Sequence, residues 1–423
     1  MLVRVRLILV FCFLTSSLIA QEYKPSVENL KQRKWFNDAR FGIMFHWGLY
    51  SILGGGGEEI PSEWILKNKQ IPPENYKRLI DFFNPPYFSA DEWVDLVKNA
   101  GAKYMNFVVK HGDGFLLYDS KTSDFKITNT PFGRDVLREI KNACDQQDLG
   151  LILHYYQMDL TLPEYILAKN DTEGRSEEWK YFLNIQEKQL EELTKNYGDL
   201  DGIWFNGWWQ IGGKREWNLA ETYKMVHQNQ SQLLITSNHH IQLHEGEDYE
   251  LFYKHFPITI DSEIPRETFF SISKSWGYNL ISTDFMSSQE IIEAIVISAA
   301  HNSNYTLNIG PMPNGKIDLK VQEALKEVGV WMKRFGNTIY GTKAGPIPYD
   351  GKIASTRKGT SIYMHFLEEG VKNIKLAEEP LKIISITDYD TGKPVKFIKK
   401  VTGNLKLVDE KPSRGKVYEI KIR

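Results

Sequence analysis

With 423 residues, 42% of them hydrophobic and 25% charged, the chain has the apolar content to bury a large core, which excludes a disordered or fibrous protein. A formal net charge of −2, with both signs interspersed and only short cationic runs, leaves no basic footprint, so no nucleic-acid partner is expected. Aromatic residues reach 13%, which suits sugar stacking, although aromatic-rich cores are the commoner source of such a content.

In chain order, the first element is a leader. "MLVRVRLILVFCFLTSSLIA" places Arg4 and Arg6 ahead of an apolar run that is too short to span a bilayer. Residues 1–20 therefore read as a signal peptide cleaved before Gln21, and the mature chain is expected to be exported to the periplasm or beyond. A membrane anchor is the weaker alternative, and no later segment is long and apolar enough to cross a membrane. Cys12 lies inside the apolar run, which gives no lipoprotein signal, and its removal leaves Cys144 without a disulfide partner.

Short apolar runs then alternate with helical stretches, as in a parallel sheet wrapped by helices. The expected strands are "FGIMFHWG" (41–48), "YMNFVVKHG" (104–112), "GLILHYYQ" (150–157), "DGIWFNG" (201–207), "LLITSNHH" (233–240) and "YTLNIGP" (305–311). Most are apolar throughout, the pattern of strands buried on both faces. Ser89 and Glu92 form a capping box for a helix that stops near Gly101. Leu183, Leu190, Leu193 and Tyr197 mark one face of a long helix before the 201 strand.

This alternation over residues 21–345 predicts a (β/α)8-like barrel of the TIM type, with its site where the strands end. A doubly wound sheet is the alternative, but no glycine-rich phosphate fingerprint follows the first strand, and "GGGG" at 54–57 reads as a loop. From 346 to 423 the pattern changes to alternating apolar and polar residues with turn signals, as in a small antiparallel β domain.

Strand ends in a barrel gather side chains around one mouth. Here they bring His46 and Trp47, Lys110, His111 and Asp113, Tyr155 and Tyr156, Trp204 and Asn206, and Asn238 and His239; "PSEWILK" adds Glu63 and Trp64. Rings to stack on apolar CH faces, with imidazoles and carboxylates for hydroxyl groups, are what a sugar pocket needs. Each residue also has an ordinary reading. His46 and Trp47 could be a structural pair, Asp113 a turn former, Glu63 a solvated charge, and one of the two tyrosines must face the core because strand neighbours point to opposite sides. With no HExxH motif and no cysteine pair, neither a metal site nor another cofactor is expected.

The segments "ARFGIMFHWGLYS", "SEWI", "AGAKYMNFVVKHGDGF", "FGRDVLREI", "DGIWFNG", "ETFFSISKSWGYN", "YTLNIGPMPNGKI" and "VGVWMKRFGNTIYGT" occur in an order and spacing that resembles glycoside hydrolase family 29, the α-L-fucosidases. The resemblance covers about 35 to 345. It implies a secreted retaining exo-glycosidase with a barrel and a C-terminal β-sandwich, an Asp nucleophile, a Glu acid/base and a glycan substrate. The nucleophile position, in a "WFDG"-like stretch, is occupied here by Asn206. The second imidazole of an "HHDGF"-like stretch is Gly112, and an "NDR"-like segment reads "SNHH". The acid/base position is matched by Glu267, with Glu250 second; an ion pair with a barrel Arg is the competing account of Glu267.

An amide cannot form the covalent glycosyl intermediate. The sequence therefore admits a glycosidase of terminal L-fucose, or a related L-sugar such as L-galactose, in which Asn206 holds a water that Asp113 or Asp159 activates. It also admits a silent sugar-binding protein, and of the two the enzyme is preferred.

Overall fold

The computed structural model describes residues 23–57, 60–168, 176–208, 216–239, 243–260, 262–377, 381–400, 404–408 and 411–423; the leader expected over 1–20 lies outside them. Eight strands form one parallel sheet: β1 Phe41–Phe45, β2 Tyr104–Lys110, β3 Gly150–Tyr156, β4 Gly202–Asn206, β5 Leu234–Ser237, β6 Glu250–Tyr253, β7 Arg266–Ser271 and β8 Asn304–Ile309. Their order, β5-β4-β3-β2-β1-β8-β7-β6, curls the sheet until only β5 and β6 lack a ladder. The seam is bridged just ahead of β6. The Asp248 carboxylate accepts from the Ile235 amide and the Ile235 carbonyl from the Asp248 amide, both at 2.6 Å, and Thr236 Oγ1 donates to the Tyr249 carbonyl. The result is the (β/α)8-like barrel that the alternation predicts.

Helices fill the connections and place their apolar faces on the strands. Helix Ala90–Asn99 starts at Ser89, whose hydroxyl accepts from the Glu92 amide, and Gly101 takes φ +87° beyond its end. Helix Glu177–Asn196 buries Leu190 and Leu193 against the barrel, where the spacing of leucines places them. Six strands fall where apolar runs predict them, and the sequence reading misses β6 and β7.

One end of the barrel is filled. Helix Val27–Ala39 lays Phe36 on the rings of Tyr104 (5.3 Å) and Tyr249 (4.5 Å). Tyr104, the first residue of β2, crosses the interior so closely that a Cβ on Gly42 of β1 would lie 2.1 Å from its ring. Only glycine fits that position. The other end, where the strands terminate, is left for a site.

A small β-sandwich follows the barrel. Strands β9 Lys343–Ala344, β10 Ile353–Lys358, β11 Ser361–Phe366, β13 Ile383–Asp388 and β16 Val417–Ile422 form a sheet of order β13-β16-β11-β10-β9, and β12 Asn373–Ile374, β14 Phe397–Lys399 and β15 Leu405–Leu407 form a second of order β12-β15-β14. Ile362, Met364 and Ile420 of the first sheet meet Ile374, Leu405 and Leu407 of the second in one core. The opposite side of the larger sheet packs Tyr363 and Val417 on Phe335 and Trp331 of the last barrel helix, Leu319–Phe335. The smaller sheet is thus the outermost layer of the molecule.

Candidate active site

A cavity of about 190 Å³ opens at the strand ends, lined by Met44, His46, Glu63, Trp64, His154, Tyr156, Asn206, Asn238, Tyr253, Phe269 and Trp276. Larger clefts of about 540 and 480 Å³ lie on the helical exterior, and neither contains a strand-end residue. Beneath the cavity, Met44 and Phe269 continue into a packed interior with Ile152, Trp204 and Tyr104. The pocket is therefore closed below.

Alternation along the strands decides which side chains enter. On β3 and β4 the pairing sets His154 beside Trp204 and Tyr156 beside Asn206, all turned inward. The His154 ring stacks on Trp204 (5.0 Å between centroids, 5° between planes) and on Tyr156 (5.2 Å, 8°). At its edge the Asn206 Nδ2 donates to His154 Nε2 at 3.2 Å. That bond makes Nε2 the acceptor and leaves the ring proton on Nδ1. The Asn206 Oδ1 has no protein partner.

His46, just past β1, is oriented in the same way. Its Nδ1 donates to Asn308 Oδ1 at 2.7 Å, while the Asn308 amide donates to Ser271 Oγ and to the Trp276 carbonyl. Nε2 is then left as an acceptor. Burial pushes the His46 imidazole down to about 4, with the Asn308 bond opposing the shift. Burial also holds His154 well below the usual histidine range, helped by the neighbouring His46 and His111. Both imidazoles are neutral at pH 7.

Glu63 is the one carboxyl group lining the cavity among the described residues. It comes from the turn Ser62–Trp64, and its Oε2 accepts from the Gly277 amide at 3.0 Å and from Ser275 Oγ at 3.2 Å. Oε1 is buried without a partner, and burial raises the acid above the usual carboxylate range. Trp64, next in sequence, stands against His111 (5.3 Å) and Tyr156 (6.0 Å).

Of the residues that the sequence sends to a sugar pocket, His46, Glu63, Trp64, Tyr156, Asn206 and Asn238 line it, and the others lie elsewhere. Trp47 packs among Phe83, Phe88 and Trp93, with its indole donating to the Met312 carbonyl, because it lies past the strand end on the outer side. Tyr155 also faces outward and donates to Gln189. Trp204 supports His154 from below. His111 stands behind the wall, its ring 4.0 Å from Tyr156, with burial holding it well below the usual histidine range. Asp113 accepts from Tyr76 (2.6 Å) and the Phe115 amide, and burial raises it to about 6. Asp159 is tied to Lys110 (3.4 Å) and to the Thr161 and Leu162 amides. His239 turns to Glu247 at 2.8 Å and packs near Trp208. Neither aspartate can then serve as the base of a water held at Asn206.

The geometry also removes both acid/base candidates from the mouth. Glu267 is the second residue of β7 and Glu250 the first of β6, so they belong to the opposite end of the barrel. Glu267 accepts from Tyr104 at 2.7 Å and from Thr306, its second oxygen has no partner, and burial raises it to about 7. Glu250 pairs with Arg266 at 3.0 Å. The ion pair that the sequence offers as the other account of Glu267 belongs to Glu250. His154, Met44, Tyr253, Phe269 and Trp276 escape the sequence reading. The first two are two residues before Tyr156 and His46 on strands already recognised, so alternation could have found them.

A prediction follows from Glu267. A native state that keeps this acid protonated up to about 7, against 4.5 for the free side chain, binds more protons than the unfolded chain between those values. Its contribution is therefore fully present at low pH and is lost as pH rises from 4.5 to 7, to the extent of roughly 3 kcal/mol. Glu267→Gln is expected to raise Tm relative to wild type at pH 8 and not at pH 4, with turnover retained. A Tm difference that does not change with pH contradicts this account, and loss of turnover in a folded variant restores Glu267 as the acid/base.

Comparison with known proteins adds to this geometry. The family model described as Alpha-L-fucosidase matches residues 10–337. The tissue alpha-L-fucosidase of Homo sapiens is 26% identical over 377 residues, 83% of this chain and 79% of that protein. The plasma alpha-L-fucosidase of Pongo abelii is 25% identical, covering 90% and 87%. Among solved structures, alpha-L-fucosidase isoenzyme 1 from Paenibacillus thiaminolyticus superposes with a TM-score of 0.82 at 27% identity, covering 94% of this chain and 100% of that one.

Proposed function

Because the chain belongs to the α-L-fucosidase family, we propose that it is an exo-acting glycoside hydrolase that removes terminal α-L-fucose, or a related L-sugar such as L-galactose, from exported glycans. The observation that carries this reading is the pocket. About 190 Å³, closed below, is below the range of drug-sized sites and suits one sugar ring entering from a chain end. Trp64, Tyr156, Tyr253, Phe269 and Trp276 offer apolar faces, while His46, His154, Asn206, Asn238 and Glu63 supply the hydrogen bonds a ring of hydroxyls requires.

The chemistry is not the double displacement that a carboxylate at residue 206 would allow. Glu63, whose carboxyl burial raises above the usual carboxylate range, gives its proton to the departing glycosidic oxygen. A water bonded to Asn206 Oδ1 attacks the anomeric carbon from the other face and yields its proton to the free Nε2 of the neutral His46. The imidazolium then returns that proton to the Glu63 carboxylate. The imidazole is a weak base, so the expected enzyme is slow.

Proton NMR of the first product tests this reading with α-L-fucosyl and α-L-galactosyl substrates. The β anomer is expected to appear first. The α anomer means retention and rules out the water route. No product, with the sugar still bound in calorimetry, rules out the enzyme and leaves a sugar-binding protein.

A further inference from the structure

Charge is divided unevenly along this chain. Residues 346–423 carry sixteen Lys and Arg against ten Asp and Glu, a net of +6, whereas residues 1–345 carry a net of −8. Four of these lysines lie on one surface. In the outer sheet of the sandwich, Asn373 and Ile398 both pair with Lys406, one row beside the buried row of Ile374 and Leu405. Alternation sends Ile374, Leu405 and Leu407 into the core and leaves Asn373, Lys375, Lys396, Ile398, Lys400 and Lys406 exposed.

Lys400 Nζ reaches Asn373 Oδ1 at 3.1 Å, from β14's edge to β12 on the far side of β15, so these side chains do share a face. Among the described residues none of the four lysines has a carboxylate partner; the lysines of this domain that do are Lys352, Lys416 and Lys421, while Arg414 and Asp390 pair with Glu293 and Arg334 of the barrel. Alternate residues of a strand are about 7 Å apart and adjacent strands about 5 Å. The four ammonium groups therefore form a shallow, evenly charged array with one apolar side chain, Ile398, 55% exposed among them.

We propose that this outer face docks a polyanionic polysaccharide, one whose sugars bear sulfate or carboxylate groups, and so holds the glycan whose ends enter the barrel. A cationic array without outward aromatic rings lacks the stacking platforms that single-stranded nucleic acid needs. One isoleucine is also too little apolar surface to anchor the domain in a bilayer. Tethering the chain at a second site raises the effective concentration of its ends at the pocket without any new contact there. The surface itself is independent of the glycosidase reading; the choice of a polysaccharide as occupant rests on it.

The test uses the full chain and heparin as the probe, with dextran and phosphatidylserine vesicles alongside. Wild type is expected to bind heparin at 50 mM NaCl, to lose at least tenfold in affinity at 500 mM, and to ignore dextran. Lys396→Gln/Lys400→Gln/Lys406→Gln is expected to weaken heparin binding at least tenfold, with Tm and the hydrolysis of α-L-fucosyl fluoride unchanged, and the corresponding Arg triple is expected to keep it. Absence of heparin binding, equal binding by the Gln triple, or tighter binding to the vesicles overturns the proposal. Absence of fluoride hydrolysis in a chain that binds heparin overturns only the glycosidase reading.

Discussion

Replacing Asn206 by Asp is expected to raise kcat/KM on an α-L-fucosyl substrate by 10²-fold or more, and to change the first product from the β to the α anomer. The side chain is already placed for the task. Asn206 ends β4, points inward beside His154, and leaves one buried oxygen free of protein partners. Asp fills the same volume, so nothing else in the pocket has to move. The Asn206 Nδ2 bond to His154 Nε2 becomes a bond from a protonated Nε2 to the new carboxylate, a tautomer shift that costs little in an imidazole whose Nδ1 has no partner. What is gained is an anion that can attack the anomeric carbon and that stabilises positive charge developing there. The measurement is steady-state hydrolysis of α-L-fucosyl fluoride with NMR assignment of the anomer. A folded variant with unchanged rate and unchanged β product contradicts the assignment of residue 206 to the reacting centre.

The barrel was legible wherever a strand is apolar along its length. β1 to β5 and β8 are such runs, buried on both faces, and their ends follow from the polar residues after them. β6 and β7 were not. "ELFY" is short and half-buried throughout, and "RETFFS" opens with two charged residues that a single sequence reads as a loop. Arg266 leaves the interior to meet Glu250, while Glu267 stays inside with Tyr104 and Thr306, and no sequence period distinguishes the two. Depth in the barrel was lost for the same reason. Glu267 stands opposite Asn304 at the start of β8, and only register separates that end from the one where Asn206 lies. Side-chain direction was partly legible. The sequence requires one of Tyr155 and Tyr156 to face the core, and the structure makes it Tyr155. Trp47 follows no strand period, because it sits in the loop after β1.

Glu63→Gln is expected to lower kcat on a substrate with a poor leaving group by about 10³-fold or more, with a far smaller loss on α-L-fucosyl fluoride, whose departure needs no strong acid. Gln keeps the shape, and its oxygen still accepts from the Gly277 amide and Ser275 Oγ, so the turn Ser62–Trp64 and the pocket wall remain in place. Only the transferable proton is removed. The pH profile separates this role from simple sugar binding. A general acid must be protonated, so wild-type kcat/KM on the poor leaving group is expected to fall as pH rises through the upward-shifted Glu63 titration, and on the acid side to fall below about 4, where His46 charges and no longer accepts a proton. In Glu63→Gln the fall at higher pH disappears and the acid limb stays. An equal loss on both substrates, with KM raised and the pH profile unchanged, makes Glu63 a binding residue and sends the search for the acid elsewhere. The unequal loss is the result the pocket predicts, because among the described residues no other carboxyl group lines it.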